Sequence, residues 1–136
     1  MTGAREPTIL LLEADIVVRH SLAEYLRECG YRVIEAARPA AARQLLQTQE
    51  TQVDVLFASL GASEDEDRAI FALAAWAREA FSGLKVELAG ALQTAARKAG
   101  DLCEEEPLKK PYDHQLVHDR IRRLLAARGR AEGSGD

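Results

Sequence analysis

The sequence predicts an α/β domain in which an open, five-stranded parallel sheet carries helices on both faces. Three observations support this. Short apolar runs alternate with segments of helical periodicity, and the connections between them are short. The apolar runs also lack the in–out alternation of a strand with one wet face, as expected for strands covered on both sides. With 136 residues, 47% of them hydrophobic and 29% charged, the chain has enough apolar material for one such core.

The elements follow in order. Thr8-Ile-Leu-Leu-Leu12 reads as the first strand. Asp15 is placed to cap the next helix by accepting its free backbone N–H groups. In that helix Val18, Leu22, Tyr25, Leu26 and Cys29 form one stripe, and Gly30 suits the left-handed residue that ends it. Residues 31–35 form a second strand, and Pro39 opens a helix bearing Ala41, Ala42, Leu45 and Leu46. Residues 53–58 are the third and most apolar strand. The acidic loop 63–67 favours the start of a helix in which Ile70, Leu73, Ala74, Ala77 and Phe81 share a face.

Residues 84–89 give a fourth strand interrupted by charge, and residues 93–99 a short Ala-rich helix. Leu108-Lys109 is at most a very short fifth strand. Asp113 can cap a last helix whose Val117, Ile121, Leu124 and Leu125 face inward. The expected organisation is a flexible leader over 1–7, one domain over 8–127 and a glycine-rich flexible tail over 128–136.

Composition narrows the function classes. A net charge of −4 gives no electrostatic reason to expect nucleic acid or an anionic membrane as partner. No apolar run approaches the roughly 20 residues of a membrane helix, and the leader has no apolar stretch of a signal peptide. Cys29 and Cys103 lack metal or disulfide spacing and read as reduced thiols of a cytoplasmic protein. His114 and His118 share a helical spacing able to grip a metal, but no acidic or cysteine ligand accompanies them, so they read as solvated helix residues. Arg120, Arg122, Arg123, Arg128 and Arg130 are read as complementing the dipole at the end of the last helix. Trp76 lies just outside its helix's apolar stripe, suited either to a neighbouring helix edge or to anchoring a partner.

Specific phrases carry a family resemblance over residues 8–127. Ile9-Leu-Leu-Leu-Glu-Ala-Asp15 precedes an apolar helix, followed by Glu24-Tyr-Leu-Arg-Glu-Cys-Gly-Tyr-Arg-Val-Ile-Glu-Ala36 and Asp54-Val-Leu-Phe57. Lys110-Pro111-Tyr112-Asp113 stands ahead of the last helix and is the most specific match. Together these resemble the CheY-like receiver domain of response regulators, a flavodoxin-like (βα)5 fold with strand order 2-1-3-4-5. Residues 61–107 match only in outline.

The resemblance implies a set of chemical positions at the carboxyl ends of the strands. An aspartate on the third strand accepts phosphate, two acids after the first strand help bind Mg²⁺, a hydroxyl on the fourth strand and a lysine hold the phosphoryl group, and an aromatic residue on the fifth reports the change. Here Glu13 fills the first acid position and Ala14 the second. Ser59 stands at the phosphoacceptor position and Gly90 (or Ala89, one residue earlier) at the hydroxyl position. Lys110 is retained, placed to pair with Glu13, while the aromatic position falls near Pro107 or Leu108. A serine hydroxyl is a weak nucleophile without an activating base, and with Ala14 and Ser59 in place Mg²⁺ binding is expected to be weak or absent.

The leading expectation is therefore a stand-alone, non-enzymatic pseudo-receiver acting by protein–protein contact. Its partner would be another signalling protein or a second copy, docked on the fourth helix, fifth strand and fifth helix over residues 93–127, with Trp76, Tyr112, His114 and His118 as possible interface residues. An alternative is a receiver phosphorylated on a neighbouring acid, Asp15, Asp54 or Glu64. Against it, Asp54 falls at the wrong end of its strand and Asp15 is better used as a cap. A third reading, a flavodoxin-like cofactor binder, meets an acidic Glu13-Ala-Asp15 loop that would repel a phosphate.

Overall fold

The apolar runs become strands because each is covered on both sides, leaving backbone polar groups to pair only along the sheet. The computed structural model describes residues 6–48, 52–90 and 113–134. Its elements are β1 (Thr8–Leu12), α1 (Ile16–Glu28), β2 (Arg32–Ala36), α2 (Pro39–Thr48), β3 (Val55–Ser59), α3 (Glu64–Ala80), β4 (Lys85–Ala89) and α4 (His114–Ser134). The strands are parallel in the order β2-β1-β3-β4, which matches the expected order as far as it is described. The expected helix over 93–99 and the short fifth strand lie outside the described residues, as do Cys103, Lys110 and Tyr112.

Alternate residues of each strand feed two cores. Leu10, Leu12, Leu56, Ala58, Val86 and Leu88 pack with Ala42 and Leu46 of α2 and Ile70, Leu73 and Ala77 of α3. On the opposite face Ile9, Leu11, Val55 and Phe57 pack with Leu22 and Leu26 of α1 and Val117, Ile121 and Leu124 of α4. Burying each large side chain of this kind stabilises the fold by roughly 1.5–3 kcal/mol, so the central strands β1 and β3 anchor the domain.

The helix ends follow their sequence signals. Asp15 Oδ1 accepts from the backbone N–H of Val17 (2.9 Å) and Val18 (3.1 Å). Ser63 Oγ accepts from Glu66 N at 3.1 Å, and Asp113 Oδ1 from Gln115 N at 2.6 Å. Gly30 follows α1 with φ 104°, a conformation that a side chain would strain.

Three features depart from the sequence reading. The apolar stripe of α1 is buried at Leu22 and Leu26 and half-buried at Tyr25 and Cys29, while Val18 in its first turn is exposed along with Ile16 and Val17. The last helix runs on to Ser134 rather than ending near Ala127. Adding a residue to a formed helix costs only that residue's own ordering, and no proline stops this one. Arg120 and Arg122 therefore lie mid-helix, where they serve specific carboxylates instead of the helix terminus. Arg120 Nη1 meets Glu87 Oε2 at 2.7 Å, and Arg122 Nη2 meets Asp119 Oδ1 at 3.1 Å.

The first of these contacts explains the charged fourth strand. Glu87 is 1% exposed, facing α4, and such a carboxylate is tolerable only when paired. Trp76 takes the helix-edge role: the Arg43 guanidinium of α2 lies 4.1 Å over its ring, and Phe81 meets it edge-on at 5.6 Å.

Candidate functional site

Parallel strands deliver their carboxyl ends to one edge of the sheet, where ligand sites of this architecture form. Leu12 pairs with Ala58, so Glu13 and Ser59 leave the sheet side by side. Ser59 is itself in register with Ala89, and Gly90 follows at the strand end. The structure thus brings together Glu13, Ser59, Ala89 and Gly90, with Ala14 exposed beside them. Whichever of Ala89 and Gly90 is aligned with the hydroxyl position, neither carries a hydroxyl.

Glu13 is only 5% exposed and turns into its own loop, where Oε2 accepts from Asp15 N at 2.8 Å. Its backbone is held as firmly, donating to Ala36 O (3.0 Å) and accepting from Arg19 Nη1 (2.9 Å). Ser59 is 6% exposed, yet its Oγ has no hydrogen-bond partner among the described residues. A buried hydroxyl in that state costs about 1–3 kcal/mol.

The loop after β3 closes over this edge. Leu60 N donates to Ala89 O at 2.8 Å, and Gly61, at φ 109°, donates to Asp67 Oδ1 at 2.9 Å. Asp67 is buried, so one member of the acidic run fastens this loop.

A divalent cation does not fit this donor set. Mg²⁺ takes oxygen ligands in a near-ideal octahedron and favours carboxylates. Glu13 is the carboxylate at the position, partly committed to Asp15 N, while Ala14 offers no donor and Ser59 only a neutral oxygen. Among the described residues no group of three or more His, Cys, Asp or Glu is arranged to hold a metal.

Of the neighbouring acids, Asp54 sits before β3 at the opposite end of the sheet, accepting from Thr8 N at 2.8 Å. Asp15 is engaged as a cap, and Glu64 is exposed on the first turn of α3.

His114 and His118 are half-buried, which corrects the expectation of solvated residues. Both rings pack on Tyr25 of α1, at 5.2 and 6.5 Å, and His118 also meets Tyr31 edge-on at 5.3 Å. Burial pushes the His118 imidazole below its ordinary pKa, with Arg122 adding to the effect and Asp119 opposing it. Tyr25 further ties the helices together by donating to Gln115 Oε1 at 2.9 Å.

Sequence reading missed the cluster around Glu35. Its Oε1 accepts from Arg19 Nε at 3.1 Å and its Oε2 from Arg27 Nη2 at 3.2 Å, binding α1 to β2. Glu87–Arg120 was missed as well, although a carboxylate within an apolar strand was a signal that a cation had to arrive.

These features define a protein with the CheY-like receiver fold. Solved structures that share it include a signal receiver domain of an HD domain-containing protein from Pseudomonas fluorescens, 23% identical, with a TM-score of 0.77 and covering 92% of this chain and 98% of that one. A CheY-like response regulator receiver domain protein from Methanospirillum hungatei is 16% identical, with a TM-score of 0.79 and coverage of 93% and 98%. A response regulator from Thermotoga maritima is 17% identical, with a TM-score of 0.73 and coverage of 89% and 98%. No family model matches the sequence, and neither does any curated protein. No helix among the described residues is long and apolar enough to cross a membrane.

Proposed function

We propose that the chain is a pseudo-receiver of the two-component type: a signalling module that binds another protein, is not phosphorylated on aspartate and performs no catalysis of its own. Ser59 carries this reading. At the carboxyl end of β3, beside Glu13 and opposite Ala89, the position that needs a carboxylate in the family pattern holds a buried hydroxyl with no hydrogen-bond partner among the described residues. Such a group is far less nucleophilic than a carboxylate unless a base activates it, and it brings no charge to a metal. Lys110 is proposed to balance Glu13 across the emptied position.

With its chemistry gone, the scaffold retains surface. The proposed contact face is α4 together with the segment before it, residues 93–127, and the partner is a cytoplasmic signalling protein or a second copy of the chain.

Incubating the protein with a small-molecule phosphodonor and Mg²⁺ should leave its intact mass unchanged. A stoichiometric phosphoryl adduct would sink the proposal, and mapping it to Asp15 or Glu64 would establish a receiver that uses a neighbouring acid.

A further inference from the structure

At the amino edge of the sheet, away from Ser59, Pro7, Tyr31, Asp119, Arg122, Arg123 and Leu125 line an open cleft of about 690 Å³. That volume lies within the roughly 300–1,000 Å³ typical of small-molecule sites. Its walls are fixed before any ligand arrives. Arg32 N donates to Pro7 O at 2.9 Å and Tyr31 N to Leu26 O at 3.2 Å, while His118 packs edge-on against the Tyr31 ring at 5.3 Å.

Two donors in this cleft are not used up. Tyr31 is only 9% exposed, yet its hydroxyl makes no hydrogen bond among the described residues. Arg122, 63% exposed, engages Asp119 Oδ1 through Nη2 alone, leaving most of its planar donor fork open. Burial raises the Tyr31 phenol pKa, helped by Cys29 and opposed by Arg122, so the group stays a neutral O–H donor at physiological pH.

We propose that this cleft is a second ligand site, taking a small apolar or aromatic monocarboxylate. The carboxylate would sit on the Arg122 fork and the Tyr31 hydroxyl, a pairing guanidinium geometry favours. The apolar body would lie against Pro7 and Leu125. The lining sets Arg122 and Arg123 against Asp119, a net charge of +1 that one carboxylate balances and a doubly charged head group exceeds.

Hydrocinnamate and its phosphonate counterpart, phenethylphosphonate, titrated into the full chain and followed by amide-resolved NMR, test this. Saturable shifts at Tyr31, Asp119 and Arg122 are expected with hydrocinnamate, and weaker binding of the phosphonate. Arg122→Gln should weaken hydrocinnamate roughly tenfold and Tyr31→Phe roughly fivefold, both with folded-state spectra retained. Absence of saturable shifts, shifts centred on Ser59, or affinity unchanged in both variants would overturn the site. Tighter binding of the phosphonate would overturn the monocarboxylate assignment.

Discussion

The two ends of β3 treat a polar side chain in opposite ways. Just before the strand, Asp54 is 1% exposed and thoroughly engaged. Its Oδ2 accepts from Thr8 N at 2.8 Å, its own N–H donates to Thr8 O at 2.9 Å, and its carbonyl accepts from Lys85 N at 3.0 Å. At the far end, Ser59 is nearly as buried and its hydroxyl meets nothing among the described residues. The first arrangement is structural: one residue, through its carboxylate and its backbone, stitches three strands together at the amino edge. On the proposed pseudo-receiver reading, the second is a position that no longer has to hold a phosphoacceptor.

The largest expected effect tests the engaged end. Asp54→Ala leaves the buried Thr8 N–H without its acceptor and should destabilise the fold by about 3 kcal/mol, read from urea unfolding. Asp54→Asn keeps an oxygen acceptor and should cost about 1 kcal/mol. Equal costs for the two would mean that charge, not hydrogen bonding, holds this edge.

At the other end the sign reverses. Ser59→Ala removes a buried hydroxyl that has no partner among the described residues and should stabilise the protein by about 1 kcal/mol. Thr8 Oγ1 is likewise buried without a partner among the described residues, so Thr8→Val should also be neutral or stabilising. Destabilisation by Ser59→Ala would reveal a hidden partner for Ser59 and weaken the contrast between the ends.

The smallest effect concerns the α1–α4 seam near Tyr31. His118 has its folded-state pKa lowered by burial, so the folded protein binds fewer protons there than the unfolded chain. Stability from this group is complete above the unfolded value near 6.5 and declines as pH falls toward the lowered one. Unfolding free energies measured from pH 7.5 down to about 5 should carry this slope, and His118→Gln should flatten it.

Much of the fold was legible in the sequence because its determinants are local. The apolar run at Thr8–Leu12, the caps at Asp15 and Asp113, and Gly30 act within a few residues of themselves. The placement of Ser59 beside Glu13 followed from a family phrase rather than from periodicity. What stayed hidden depends on side chains distant in sequence: Glu87 with Arg120, Glu35 with Arg19 and Arg27, and Tyr31 with His118. The role of Asp67 stayed hidden as well, because a carboxylate in an acidic run looks like its neighbours until the loop folds back and supplies the Gly61 N–H.

On the proposed reading, Ser59 and Ala14 rather than the scaffold keep the chain from being phosphorylated. Treating the wild-type chain and an Ala14→Asp, Ser59→Asp double variant side by side with acetyl phosphate and Mg²⁺, then weighing both by intact-mass spectrometry, addresses it directly. The wild type should keep its mass, and the double variant should gain a phosphoryl group that is lost at alkaline pH, as an acyl phosphate is. A phosphoryl adduct on the wild type, or none on a folded double variant, would contradict the account.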